Sequence, residues 1–323
     1  MTEPEDVGRS PRFAQVATFA RLPLRRDLAG AGSAFVGIPW DDATSYRSGA
    51  REGPSAIRAQ SRLLRSYHPV HRVYPWRVLE TVDAGDVDPV PGYLDDTFQR
   101  IESALRPMFE KGVVPFVGGG DHSVTLPVLR AQKAATGQPV SLVHFDAHFD
   151  TWDRYWGDKR YTHGTWVRRA YEEELIAPHQ VFQVGLRNSV YSADDAAANA
   201  RYVDRAFTVE DLDATDPGTV TDTIVAAIGD RAAYVSVDID VLDPAFAPGT
   251  GTPEPGGLTS RELIRLLRPL HRLRLVGFDV VEVAPQYDHT GQVTALAAAT
   301  ILYEGMAAVA RHRAAASAEP VSR

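Results

Sequence analysis

Short runs dense in β-branched and aromatic residues recur along the chain, each followed by a polar or helix-patterned stretch. They are SAFVGIP (33–39), RVLETVD (77–83), GVVPFVGG (112–119), PVSLVHFD (139–146), QVFQVGLR (180–187), AAYVSVDID (232–240) and LRLVGFDVVEV (273–283). Their apolar positions are nearly continuous, as in strands covered on both faces. Between them, LDDTFQRIESALRPMFEKG (94–112), TVTDTIVAAIGDR (219–231) and TSRELIRLLRPLHR (259–272) carry helical spacing. The last has Thr259 or Ser260 as cap, Glu262 in its first turn, and Leu263, Leu266 and Leu267 on one face. Strands alternating with helices predict an α/β fold on a parallel sheet. No linker, repeat or dinucleotide fingerprint divides the sequence, so one domain over 1–323 is expected, with an extended segment at about 1–30 and a short C-terminal tail.

The polar residues that break this pattern sit just after the strands: Asp121 and His122 after VVPFVGG, Asp146 and His148 after SLVHF, Asp238 and Asp240 at the end of AAYVSV. Ligand sites in open α/β sheets lie outside the carboxyl ends of the strands, so these distant segments are expected to meet. In HFDAHFDT (144–151), Asp146, His148 and Asp150 alternate and would share one face of an extended backbone; Asp238 and Asp240 repeat the spacing. Taken singly, each is as well read as a cap, a turn or a surface ion pair. Together, two imidazoles and four carboxylates would repel and resist desolvation unless a cation neutralised them. Two divalent ions fit that charge, and mixed carboxylate and imidazole ligation favours Mn²⁺ without excluding Zn²⁺, Co²⁺ or Ni²⁺.

Composition narrows the chemistry further. The chain has no cysteine, which removes disulfides, thiolate ligands and a cysteine nucleophile. Its formal charge of -8 and lack of a Lys/Arg cluster argue against a nucleic-acid partner. No signal-peptide order begins the sequence and no apolar stretch of 18 or more residues that could span a bilayer is read in it, so no membrane partner and a cytoplasmic location are expected.

The motifs GGGDHS (118–123), DAHFD (146–150) and SVDIDVLDPAFAPGTGTPEPGG (236–257), supported by SYRSGAREGPSAIR (45–58) and VEVAP (281–285), resemble the ureohydrolase family, the arginase and agmatinase group. The resemblance runs from about residue 34 to about 305. It implies a three-layer α/β/α sandwich around a mainly parallel eight-stranded sheet, with RAFTVED (205–211) as the eighth strand, assembled into homo-trimers or homo-hexamers. It also implies two Mn²⁺ per subunit. His122, Asp146, Asp150 and Asp238 would hold one, and Asp146, His148, Asp238 and Asp240 the other. A metal-bridging hydroxide would attack the guanidinium carbon. The resemblance implies that Asp150 steers the hydroxide, His163 in YTHGT shuttles a proton to the leaving amine, and Glu282 in VEVAP binds the guanidinium.

The loop DTWDRYWGDKRYTH (150–163) lacks the SGNxHG pattern of arginases and is similar to the agmatinase branch, which implies hydrolysis of agmatine to putrescine and urea. Trp152, Tyr155, Trp156 and Tyr161 would wall a slot for the methylene chain, and Asp153 is the candidate partner of the distal ammonium. Those aromatics suit packing within the loop or against a neighbouring subunit equally well. Arg154, Lys159 and Arg160 suit a guanidino acid instead, such as 4-guanidinobutyrate or 3-guanidinopropionate. The segment Trp40, Asp41, Asp42 and Ala43 also departs from the usual agmatinase pattern. A catalytically inactive metal-binding scaffold is the reading outside enzymes, and the matching ligand positions argue against it.

Overall fold

The computed structural model describes residues 10–187 and 189–318. Eight strands, β1 (Ser33–Gly37), β2 (Val82–Asp86), β3 (Val114–Gly118), β4 (Val140–Phe145), β5 (Ile176–Leu186), β6 (Arg205–Thr208), β7 (Ala232–Asp238) and β8 (Arg274–Val281), form one sheet in the order β2-β1-β3-β8-β7-β4-β5-β6. Every pairing is parallel. The α-helices among the described residues are α1 (Gly53–Ser61), α2 (Pro75–Leu79), α3 (Leu94–Glu110), α4 (Thr125–Thr136), α5 (Trp166–Glu172), α6 (Asp195–Asn199), α7 (Val209–Ala214), α8 (Pro217–Ile228), α9 (Ser260–Leu267) and α10 (Val293–Ala318). Two apolar cores flank the sheet. Phe98, Ile101, Leu105, Leu129 and Trp166 from α3 to α5 cover one face. Ile57, Trp76, Ile224, Leu266 and Leu302 from α1, α2, α8, α9 and α10 cover the other. The architecture is therefore the expected three-layer α/β/α sandwich.

Three local readings differ from the structure. Arg77–Leu79 are helical, because Pro75 starts a turn of helix that ends at Glu80 with φ 46°, and β2 begins only at Val82. The expected eighth strand stops at Thr208, whose side chain accepts from Asp211 N–H while Asp211 reaches back, a reciprocal cap that opens α7. The helix at 259–272 is α only to Leu267, continuing as a 3₁₀ turn over Arg268–Arg272 where Pro269 removes a donor. Helix α10 also corrects the reading that no apolar stretch could span a bilayer: over Val293–Ala316 it is long and apolar enough by length and composition (mean hydropathy 1.6), but 72% of its 18-residue apolar window is buried, as in a core helix.

The order matters for chemistry because β3, β8, β7 and β4 are consecutive in the sheet. The residues at and just beyond their carboxyl ends, 119–122, 282, 238–240 and 146–150, are thereby brought to a common edge.

Candidate metal centre

The edge is shaped first by close backbone approach. Gly120 donates to Ile38 O at 2.8 Å, and a Cβ there would collide with the Trp40 carbonyl at 1.7 Å. Asp121 is an anchor: it accepts from Ser123 N–H and from Ala43 N–H, both at 2.9 Å. The loop at 40–45 is thus tied across the site, and Ala43 O accepts His163 N–H at 3.1 Å.

His122 then presents Nδ1 to three carboxylates, 3.2 Å from Asp146 Oδ2, 3.2 Å from Asp150 Oδ2 and 3.3 Å from Asp238 Oδ2. That nitrogen is buried and has no hydrogen-bond partner. Its other nitrogen, Nε2, lies 2.8 Å from Ser236 Oγ, whose own proton goes to Asp279 Oδ1 at 2.6 Å. Ser236 must therefore accept from Nε2–H, which leaves the Nδ1 lone pair facing the carboxylates. A lone pair held this way by an outer partner is the arrangement of a metal-binding imidazole. On the other side His148 Nδ1 lies 3.3 Å from Asp146 Oδ1 and 3.1 Å from Asp240 Oδ2. Asp146 belongs to both groupings, which gives the centre a binuclear form.

The charges tell the same story. Burial first, then the neighbouring Asp240 and Asp146, push the Asp238 carboxyl well above its usual range. Burial likewise raises Asp240, with Asp146 adding to it. Burial opposes charge on His122 and His148, yet the surrounding carboxylates drive both imidazoles upward. Divalent cations would relieve that crowding, so the residues present fit a two-metal centre.

The backbone expected to run extended from Asp146 to Asp150 does not. It turns after β4, and Asp150 has φ 55° in the left-handed region; convergence comes from this turn. Asp238 ends β7, while Asp240 lies in a 3₁₀ turn whose N–H is held by Asp238 Oδ1 at 2.8 Å. Trp166 Nε1–H donates to Asp150 Oδ2 at 2.7 Å. Glu282 is also left-handed, at φ 63°. Its Oε1 accepts from His122 N–H and lies 2.9 Å from His163 Nδ1. Backbone N–H of Ser45 points at His163 Nε2 at 3.0 Å, so Nδ1 carries the proton shared with Glu282. Burial opposes charge on His163, but Glu282 and, less strongly, Asp121 and Asp150 lift it to about 9.

A cavity of about 260 Å³ opens on this edge, lined by His148, Asp150, His163, Asp238, Ser45, Trp152, Tyr155, Tyr191 and Glu254 among others. Of the loop residues singled out from sequence, Trp152 and Tyr155 line it. Trp156 is exposed, and Tyr161 packs edge-on against Phe98. Asp153 faces Arg154, Arg168 and Arg169 at 2.6, 3.1 and 3.1 Å, and the Arg154 hydrogen bond foremost pulls its carboxyl below the usual range. Lys159 pairs with Asp158 and Arg160 with Glu172. Neither Asp153 nor these bases reach the cavity, because the Tyr155–Lys159 pairing folds the loop back on itself.

A family model described as the arginase family matches residues 31–308. The chain belongs to the arginase family. It is similar to guanidinopropionase of Pseudomonas aeruginosa, 45% identical over 302 residues that cover 94% of each chain. It is also similar to proclavaminate amidinohydrolase of Streptomyces clavuligerus, 41% identical over 93% of this chain and 96% of that one. The solved structure of the Streptomyces protein superimposes with a TM-score of 0.88, covering 94% of this chain and 100% of that one at 42% identity. Agmatinase of Gallus gallus is 41% identical over 90% of this chain and 84% of its own. In this member of the arginase family, sequence reasoning missed Trp166, Asp279, His144 and Gln183. The first was visible only as one more aromatic, and the others lie within strands.

Proposed function

We propose that this protein hydrolyses the guanidinium group of a short linear guanidino compound, releasing urea and an amine, with two Mn²⁺ held by His122, Asp146, His148, Asp150, Asp238 and Asp240. The observation that carries this reading is the meeting of both metal-type clusters with the His163–Glu282 pair at one cavity. When bound, the two cations supply the charge that makes water a nucleophile near neutral pH.

The chain's own groups do the rest. Asp150, fixed by Trp166, accepts a hydrogen bond from the nucleophile and aligns it with the guanidinium carbon. Glu282 Oε2, buried without a hydrogen-bond partner, is an acceptor for a guanidinium N–H. His163, whose Nδ1 carries the proton shared with Glu282, is the group that passes a proton toward the leaving nitrogen. Water adds its oxygen to carbon, the C–N bond to the alkyl chain breaks, and its proton leaves with the amine. His163 is the group that must regain a proton each cycle, and its contact with Glu282 keeps it basic enough to do so.

A guanidino carboxylic acid is the substrate class we favour, on the 45% and 41% identities to guanidinopropionase and proclavaminate amidinohydrolase. Agmatine is the second reading. It is favoured by the lining, where Glu254 is a carboxylate beyond the ligand set and no Lys or Arg appears among the described residues. Urea release compared by kcat/KM across 3-guanidinopropionate, 4-guanidinobutyrate, agmatine and L-arginine tests both. Preference for an acid supports the first reading, preference for agmatine the second, and no urea from any of them refutes this substrate class while leaving the metal site standing. We further propose a cytoplasmic, homo-oligomeric protein.

A further inference from the structure

His144 lies on β4, one register level beneath the metal ligands, on the face otherwise packed by Val140 and Leu142. Its cross-strand partner on β5 is Gln183 and on β7 is Ser236, and Ser236 in turn pairs with Asp279 on β8. Four polar side chains therefore cross four adjacent strands in one row, all buried. The Asp279–Ser236 half holds His122, as described above. The other half has no role yet.

Its hydrogen bonds can be oriented without ambiguity. Phe149 O, which can only accept, lies 2.7 Å from a Gln183 amide atom, so that atom is Nε2. The same Nε2 faces His144 Nδ1 at 3.1 Å. Gln183 Oε1 accepts from Asn199 Nδ2 at 2.9 Å, and Asn199 Oδ1 accepts from Thr151 Oγ1 at 2.7 Å. Gln183 thus donates to Nδ1, and the proton of a neutral His144 must sit on Nε2. That atom is 2.8 Å from Asp146 Oδ2.

We infer that His144 is a positioning residue that donates Nε2–H to the shared carboxylate of Asp146, its tautomer fixed by Gln183, Asn199 and Thr151. His144 lies within reach of the same cluster as His122, Asp146 and Asp150. Its outward proton nevertheless stops Nε2 from acting as a further ligand. One lone pair of Asp146 Oδ2 is used by this donor, which sets the carboxylate's rotation and leaves its remaining lone pairs toward the cations. The inference rests on the two-metal reading above.

The test uses full-length protein, depleted of metal and titrated with Mn²⁺ alone by calorimetry, with pulsed EPR on Mn²⁺-loaded, ¹⁵N-histidine-labelled samples. His144→Phe is expected to lower Mn²⁺ affinity by about 10- to 100-fold, the usual loss for an outer-layer partner, while the number of directly coordinated histidine nitrogens is unchanged. His144→Gln, which keeps an amide donor, restores most of the affinity. Gln183→Glu, isosteric but unable to donate, forces a proton onto His144 Nδ1 and lowers affinity with His144 intact, which covers the case of a misfolded His144→Phe. Loss of one coordinated nitrogen in His144→Phe would make His144 a ligand and overturn the inference. Wild-type affinity in both His144→Phe and Gln183→Glu would overturn it while leaving the two-metal reading standing. A wild-type protein that binds no Mn²⁺ would overturn both.

Discussion

His163 donates from Nδ1 to Glu282 Oε1 at 2.9 Å across 119 residues of sequence, and that same oxygen accepts the backbone N–H of His122 at 2.9 Å. One carboxylate therefore ties the proton-handling histidine to the loop that carries a candidate ligand. Glu282 holds this place at a left-handed φ of 63°, a conformation that costs a non-glycine residue about 1–3 kcal/mol and is retained where surrounding contacts overdetermine it. Glu282→Gln keeps an oxygen for both donors but removes the charge. Its expected effect is a fall in kcat of about 10²-fold or more, with Mn²⁺ content unchanged by elemental analysis. Unaltered turnover would remove Glu282 from the mechanism.

Trp166 is the second lever. Its indole N–H is a direct partner of Asp150 Oδ2, and its ring centroid lies 4.8 Å from that of His122. Trp166→Phe keeps the packing and leaves a buried carboxylate oxygen short of a donor, which costs about 1–3 kcal/mol. Chemical denaturation of the metal-free protein should show that loss, and kcat should fall more than KM rises if, as proposed, Asp150 aligns the nucleophile and does not grip the distal part of the substrate.

The ligands are separable by stoichiometry. Asp238→Ala should weaken both bound ions, because the proposed ligand set makes Asp238 a shared carboxylate, whereas His122→Ala and His148→Ala should each weaken one. Removing metal from the wild-type protein should lower its Tm, since an ion present at 100 times its Kd stabilises the folded state by about 2.7 kcal/mol. Two ions per chain in Asp238→Ala would contradict the assignment.

A fourth test lies away from the metal centre. His71 is buried beside His68 and His271, and burial first, then those neighbours, lower it from the usual 6.5 to about 4. The unfolded chain therefore takes up a proton between pH 6.5 and 4 that the folded chain refuses. Stability from this residue is complete above pH 6.5 and is lost as pH falls to about 4, by about 3 kcal/mol in total. Denaturation curves of His71→Phe should fall less steeply over that window than those of the wild-type chain.

What the sequence made legible follows from physical distance along the chain. Strand-end acids and histidines stand out because charged groups interrupt apolar runs, and the parallel topology brings such ends together. The route of convergence was hidden, because the left-handed backbone of Asp150 and the 3₁₀ turn at Asp240 defeat an argument from alternation. His144, Gln183, Ser236 and Asp279 were illegible for a different reason. Gln183 and Asp279 read as isolated polar residues in apolar strands, His144 and Ser236 stand at the head of motifs whose acids draw the eye, and only the cross-strand register shows the four as a row. The loop at 151–162 misled in composition: its acid and bases satisfy one another and helix α5, so Asp153 belongs to Arg154, Arg168 and Arg169 rather than to a ligand.

The most direct test is to titrate Mn²⁺ into metal-depleted protein while measuring urea release from 3-guanidinopropionate, 4-guanidinobutyrate and agmatine at each bound stoichiometry. The structure predicts that turnover of at least one of these rises to its plateau as the second ion per chain binds. Full turnover with a single ion, or turnover indifferent to metal, would contradict a two-metal ureohydrolase centre.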